Sequence, residues 1–109
     1  MTTTVTKTVG TGGDYSTVAL ALAAIPADLV AADQIWRIAL KNQEFVVTTG
    51  LSITGHTCDA TRYIELTTDT GASFVDNASK ATNALRYNAA NGAAIKSNTA
   101  YVLTLTGNQ

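Results

Sequence analysis

Apolar and polar positions alternate along this chain in short bursts, and glycine, asparagine and threonine separate the bursts. The clearest burst is residues 34–40. There Trp36, Ile38 and Leu40 share one face of a strand, and Ile35, Arg37 and Ala39 share the other. Residues 44–48 and 51–54 follow as two more strands, divided by the corners Lys41-Asn42-Gln43 and Thr49-Gly50. Residues 2–9 alternate more weakly around Val5 and Val9, with Lys7 between them. Residues 62–67 put Ile64 and Leu66 on one face. Later strands are expected at 84–87, 93–96 and 100–106. Residues 55–61 read as a polar loop, and 69–83 as a longer polar excursion anchored by Phe74 and Val75.

One stretch breaks the period of two. Val18, Leu22 and Ile25 fall at i, i+4 and i+7, the spacing of one helix face, and alanines at 19, 21, 23 and 24 keep that helix thin. Gly10, Gly12 and Gly13 supply the sharp turn that leads into it. Asp14 and Ser16 are both suitable N-caps, which predicts a start within a residue or two of Ser16. Pro26 is the expected stop, because the residue before a proline is pushed out of the α region. A helix of about ten residues is marginal alone in water, so it must lie on an apolar surface. We read it as a lid on the end of a column of strands. Residues 27–33 follow as a turn or one loose helical turn.

The strands between 34 and 54 are too close together for helical crossovers, and their corners lack the Asn-Gly or Asp-Gly pairs of hairpins. They suit one coil of a parallel β-helix. The expected fold is therefore all-β: a short solenoid capped by one N-terminal helix. It forms a single domain over 1–109, with the strand, turn and lid in 1–32 and the coils in 33–109. The main strands begin near 34, 62 and 101, and the unequal coil lengths place insertions in loops. A solenoid ending on a strand must be covered, because an open edge pairs with other chains.

Composition narrows the picture. Leu, Ile, Val and Phe make up 25 of the 109 residues, so the core is small, and much of the rest of the 46% hydrophobic content is alanine. A core of that size is often completed by a partner subunit, which predicts an oligomer. Net charge is −1 and no basic run exists, so a nucleic-acid role lacks its cationic footprint. No stretch approaches the roughly 20 apolar residues that span a bilayer. Met1 leads into threonines and not into a charged region with an apolar core, so no signal peptide is expected and synthesis is cytoplasmic. Cys58 is the only cysteine.

Candidate chemistry is sparse. The strand–GxGG–helix order evokes a nucleotide site, but Tyr15 stands where the dinucleotide fingerprint needs a third glycine, and no Gly-Lys-Ser/Thr follows. His56, Cys58 and Asp59 cluster in one loop, yet a zinc site needs about four ligands and this is the only histidine. Carboxylates that could act on sugars are Asp33, Glu44, Asp59, Glu65, Asp69 and Asp76, with Arg62 or Arg86 as the cation. They lie singly among threonine and asparagine, so no catalytic, metal or cofactor-binding residue is assigned and no cofactor is expected. Trp36 and the tyrosines at 15, 63, 87 and 101 could be sugar platforms, although such residues more often belong to cores and interfaces.

The runs TKTVGTGGDYSTVALALAAIP, ADQIWRIAL and ITGHTCDATRYIELTT resemble the opening of right-handed parallel β-helix proteins common in bacteriophage genomes. The GGDYSTV–helix–Pro portion is also similar to the start of pectin esterase and pectate lyase β-helices. The resemblance covers about residues 5–67 and rests on turn and packing positions. It implies a right-handed coil and a virion part: a head decoration or cement protein, or the base of a fibre or tailspike, usually trimeric. Its partners would be sister chains and other virion proteins such as a major capsid or fibre protein. On this reading the chain is not an enzyme. Gly10, Gly12, Gly13, Asp14, Ser16, Val18, Leu22, Ile25 and Pro26 build the cap, and Tyr63, Tyr87, Tyr101 and Val102 are candidate interface residues. The alternative is a carbohydrate-binding or carbohydrate-degrading fragment of a tailspike, lyase-like or esterase-like.

Overall fold

The structure, a computed structural model, describes residues 1–47, 50–72, 93–97 and 103–106. Strand β1 (Thr3–Val9) leads through the glycine turn into helix α1 (Val18–Ala23) and the single turn α2 (Leu29–Ala32). Strands β2 (Gln34–Leu40), β3 (Glu44–Val47) and β4 (Leu51–Thr54) follow. Then come β5 (Ile64–Thr68), β6 (Ala94–Ser97) and β7 (Leu103–Thr106). The described chain is thus mostly strand with two short helices. Its strands form three sheets, ordered β1-β2-β5, β3-β6 and β4-β7, and every pairing is parallel.

Register decides which side chains meet. Val5, Trp36 and Ile64 form one row across the three strands, Lys7, Ile38 and Leu66 the next, and Val9, Leu40 and Thr68 the third, with β2 in the middle. The buried core runs along these columns through Val9, Trp36, Ile38 and Leu40, and it continues to Phe45, Leu51 and Ile53. Lys7 thus occupies an apolar column on an edge strand. A lysine there discourages a further strand from pairing.

The glycine turn is held by its backbone. Thr8 N donates to Asp14 Oδ2 at 2.9 Å, and Asp14 N donates to Thr8 Oγ1 at 3.0 Å. A Cβ on Gly13 would stand 2.9 Å from the carbonyl oxygen of Thr8, so only glycine fits. Gly10 has φ +129° and lies against Gln43 and Lys41, in the corner between β2 and β3.

The lid starts where expected, within two residues of Ser16, but its capping residue and its stop differ. Its N-cap is Thr17, whose hydroxyl accepts from Leu20 N, and not Asp14 or Ser16. Asp14 is already engaged across the turn with Thr8. The helix spans six residues and stops at the Ala24 C-cap, two positions before Pro26, so the proline is not its direct terminator. The expected face is nonetheless the buried one, since Val18, Leu22 and Ile25 all join the core, with Ala21 and Leu29. The loose turn at 27–33 is α2, capped by Asp28 and closed by Asp33 in the left-handed conformation at φ 55°. The expected strand at 84–87 lies outside the described residues.

Candidate interaction surface

The charged side chains are placed by the strand register. Arg37 and Glu65 are direct partners on β2 and β5, and Arg37 Nε donates to Glu65 Oε2 at 2.7 Å. Lys41 and Asp69, just past the ends of the same strands, meet at 3.1 Å. Arg62 bridges two carboxylates, giving Nε to Asp33 at 2.8 Å and Nη1 to Asp59 at 2.6 Å. Asp33 also accepts from Thr2 Oγ1 and lies 3.5 Å from the N-terminal amine. Of the acids and bases suggested for sugar chemistry, Asp33, Asp59, Glu65, Asp69 and Arg62 thus tie one strand or turn to the next. Asp76 and Arg86 lie outside the described residues.

The ionisation of these groups follows. The backbone N–H of Thr61, then the Thr61 hydroxyl and Arg62, hold the Asp59 carboxyl down at about 2. The Arg62 guanidinium, then Thr2, lowers Asp33, and Lys41 lowers Asp69. Glu65 raises Arg37, and Asp33 followed by Asp59 raises Arg62. All five groups are firmly charged at neutral pH. A proton donor in glycoside cleavage needs the opposite, a carboxyl whose pKa is raised.

The loop containing His56, Cys58 and Asp59 serves three separate purposes. His56 Nδ1 donates to the carbonyl oxygen of Pro26 at 2.9 Å, tying this loop to the end of the lid. Cys58 packs against the core, and burial, then Asp59, pushes its thiol pKa up. Asp59 organises the turn into Arg62. Among the described residues, no group of three or more His, Cys, Asp or Glu is placed to hold a metal ion, and no helix is long and apolar enough to cross a membrane.

Trp36 is buried, with its Nε1 donating to Gln34 Oε1 at 2.8 Å, so it is not a sugar platform, and Tyr15 is half-buried against the core. Tyr63 is 41% exposed beside β5. Tyr87, Tyr101 and Val102 lie outside the described residues. Two further apolar side chains face solvent, Leu20 on α1 and Val46 on β3, at 54% and 53%. Beside Val46 opens a wedge of about 540 Å³ with α1 as one wall and β3, Gly50, Leu51 and Ser52 as the other. Leu22, Phe45 and Val47 are among its apolar lining.

Reading the sequence alone missed both the wedge and the charge ladder. The signal for the first was the unbroken run Phe45-Val46-Val47, where a period of two turns one of three apolar side chains outward. The signal for the second was an offset of 28 residues, which sets Arg37 on Glu65 and Lys41 on Asp69 with opposite sign. Comparisons with protein-family models, curated proteins and solved structures found no match to the chain.

Proposed function

We propose that this chain is a non-enzymatic structural component of a phage virion. It would be a capsid decoration or cement protein, or the base of a fibre, built as a short right-handed parallel β-helix and assembled as a trimer. The order of pairing supports the coil. Strands β2, β3 and β4 are followed by β5, β6 and β7, each pairing in parallel with its counterpart from the round before. The virion and the trimer come from the resemblance of residues 5–67.

The observation that carries the functional reading is where the charges go. Arg37, Lys41 and Arg62 are matched to Glu65, Asp69, Asp33 and Asp59, and each pair braces the stack. Among the described residues, the exposed side chains outside these pairs include Leu20, Val46 and Tyr63 and Thr3, Thr4 and Thr6 of β1, together with Asp14 and Asp28. Exposed apolar and aromatic side chains of this kind recognise protein by burial and shape.

Mass spectrometry of purified phage particles tests this reading. The chain is expected in every particle at a fixed copy number divisible by three. Finding it only in the soluble lysate, or measuring turnover of an acidic polysaccharide by the purified protein, overturns the proposal.

A further inference from the structure

The outer face of the sheet β1-β2-β5 carries its charges in a fixed order. Trp36, Ile38 and Leu40 turn into the core, so Arg37 and Ala39 turn outward, and Lys41 continues that period one residue past β2. Level with Arg37 and Ala39 on β5 stand Glu65 and Thr67, with Asp69 one residue past its end, and on β1 stand Thr6 and Thr8. Both cations therefore rise from β2 and both anions from β5. Bracing two strands needs opposite signs within each rung, but it is indifferent to which strand carries which sign. Two rungs of the same polarity make the face bipolar. A positive stripe runs along β2, a negative stripe along β5, and the threonines of β1 flank the positive side.

The rungs also keep capacity for more partners. The side chains of Arg37 and Glu65 are 43% and 34% exposed, and those of Lys41 and Asp69 are exposed in part. The bond from Arg37 Nε to Glu65 Oε2 uses one of several guanidinium donors and one of several acceptor positions on the carboxylate. Between the rungs lie only Thr8, Ala39 and Thr67, so the face is shallow there. Exposed Tyr63 stands one residue before the Trp36–Ile64 pair, level with Ile35, and gives the same face an aromatic edge.

We propose that this face binds a second copy of the chain, with Arg37 and Lys41 of one copy set against Glu65 and Asp69 of the next. The inference rests on the reading that the chain acts by association, and it names the surface. Rotation about an axis parallel to the strands preserves height along them. Arg37 and Glu65 are register partners, and Lys41 and Asp69 follow four residues later on the same strands. Each cation therefore arrives level with its opposite number on the neighbouring copy. Three copies turned about such an axis set the positive stripe of each against the negative stripe of the next, and each rung closes into a ring of alternating charge. Networks of this kind contribute where an isolated surface pair does not. Tyr63 and Ile35 add aromatic and apolar area beside the ring.

The test is a charge swap that keeps every pair within the chain: Arg37→Glu, Lys41→Glu, Glu65→Arg and Asp69→Lys together. The swapped chain matches its own copies, but it sets like charge against like on the parent chain. Isotopically labelled parent is mixed with unlabelled swapped chain and followed by native mass spectrometry, under conditions where labelled and unlabelled parent exchange subunits. Each chain is expected to assemble alone, with mixed species about tenfold or more below their statistical share. Mixed species at that share overturn the proposal. A second arm needs no variant. Between about 0.05 and 0.5 M sodium chloride the association constant of the parent should fall about tenfold or more, because salt screens exposed charges over that range. Association that is unchanged or tighter in salt overturns the proposal. A monomer mass in every condition overturns the reading by association itself, whereas self-association with free mixing and no salt dependence overturns only the face assigned to it.

Discussion

Replacing Leu29 by alanine should destabilise the fold at a cost set by how completely that side chain is enclosed. Leu29 is 0% exposed and heads the single turn α2 against β2. The substitution removes three carbon atoms from the core, about 2.4 kcal/mol at roughly 0.8 kcal/mol per buried methylene. A residual cavity adds to that, and Leu→Ala changes at enclosed sites span about 2–5 kcal/mol. A one-turn helix can settle partway into the space, so about 3 kcal/mol is expected. For a domain near this size each kcal/mol moves the midpoint by about 4–8 °C, a fall of roughly 12–24 °C. Leu22→Ala should cost less, about 2 kcal/mol, because the wedge already opens beside it and no closed void forms. Leu20→Ala, more than half exposed, should stay within about 0.5 kcal/mol. The assay is thermal and urea unfolding by circular dichroism at one protein concentration. Equal losses for Leu20 and Leu29, or a Leu29 variant melting within a few degrees of the parent, would refute the enclosure of α2 against β2.

Other expectations follow from the turn and the charges. Asp59 falls from an ordinary 3.8 to about 2 in the folded protein, so its bonds stabilise fully above about pH 4, and that contribution fades as pH falls toward 2. Asp59→Asn should flatten the loss of stability over that window in acid titration, and an unchanged profile would count against the turn. Gly13→Ala meets the Thr8 carbonyl and should destabilise by about 1–3 kcal/mol in urea titration. Thr17→Ala should cost about 1 kcal/mol as a lost cap, and Ser16→Ala no more than about 0.5, which separates the two in parallel melts.

Some of this architecture is legible in the chain because it depends on local periodicity. Trp36, Ile38 and Leu40 announce β2 by alternation, and Val18, Leu22 and Ile25 mark the buried face of the lid although Ile25 lies beyond the helix itself. The cap was not decidable locally. Asp14, Ser16 and Thr17 are all competent, and the choice fell to Thr17 once the turn drew Asp14 back to Thr8. The ion pairs are less legible still, because Arg37 and Glu65 become neighbours only through the parallel register of β2 and β5. The wedge depends on where α1 stops short of β3, a packing outcome that no single stretch of sequence contains.

Sedimentation equilibrium of the purified chain tests the claim that it works by association most directly. The account predicts a species of three times 11.3 kDa at micromolar concentration, unchanged by chelation of divalent ions. A single mass of 11.3 kDa at every concentration tried would contradict it.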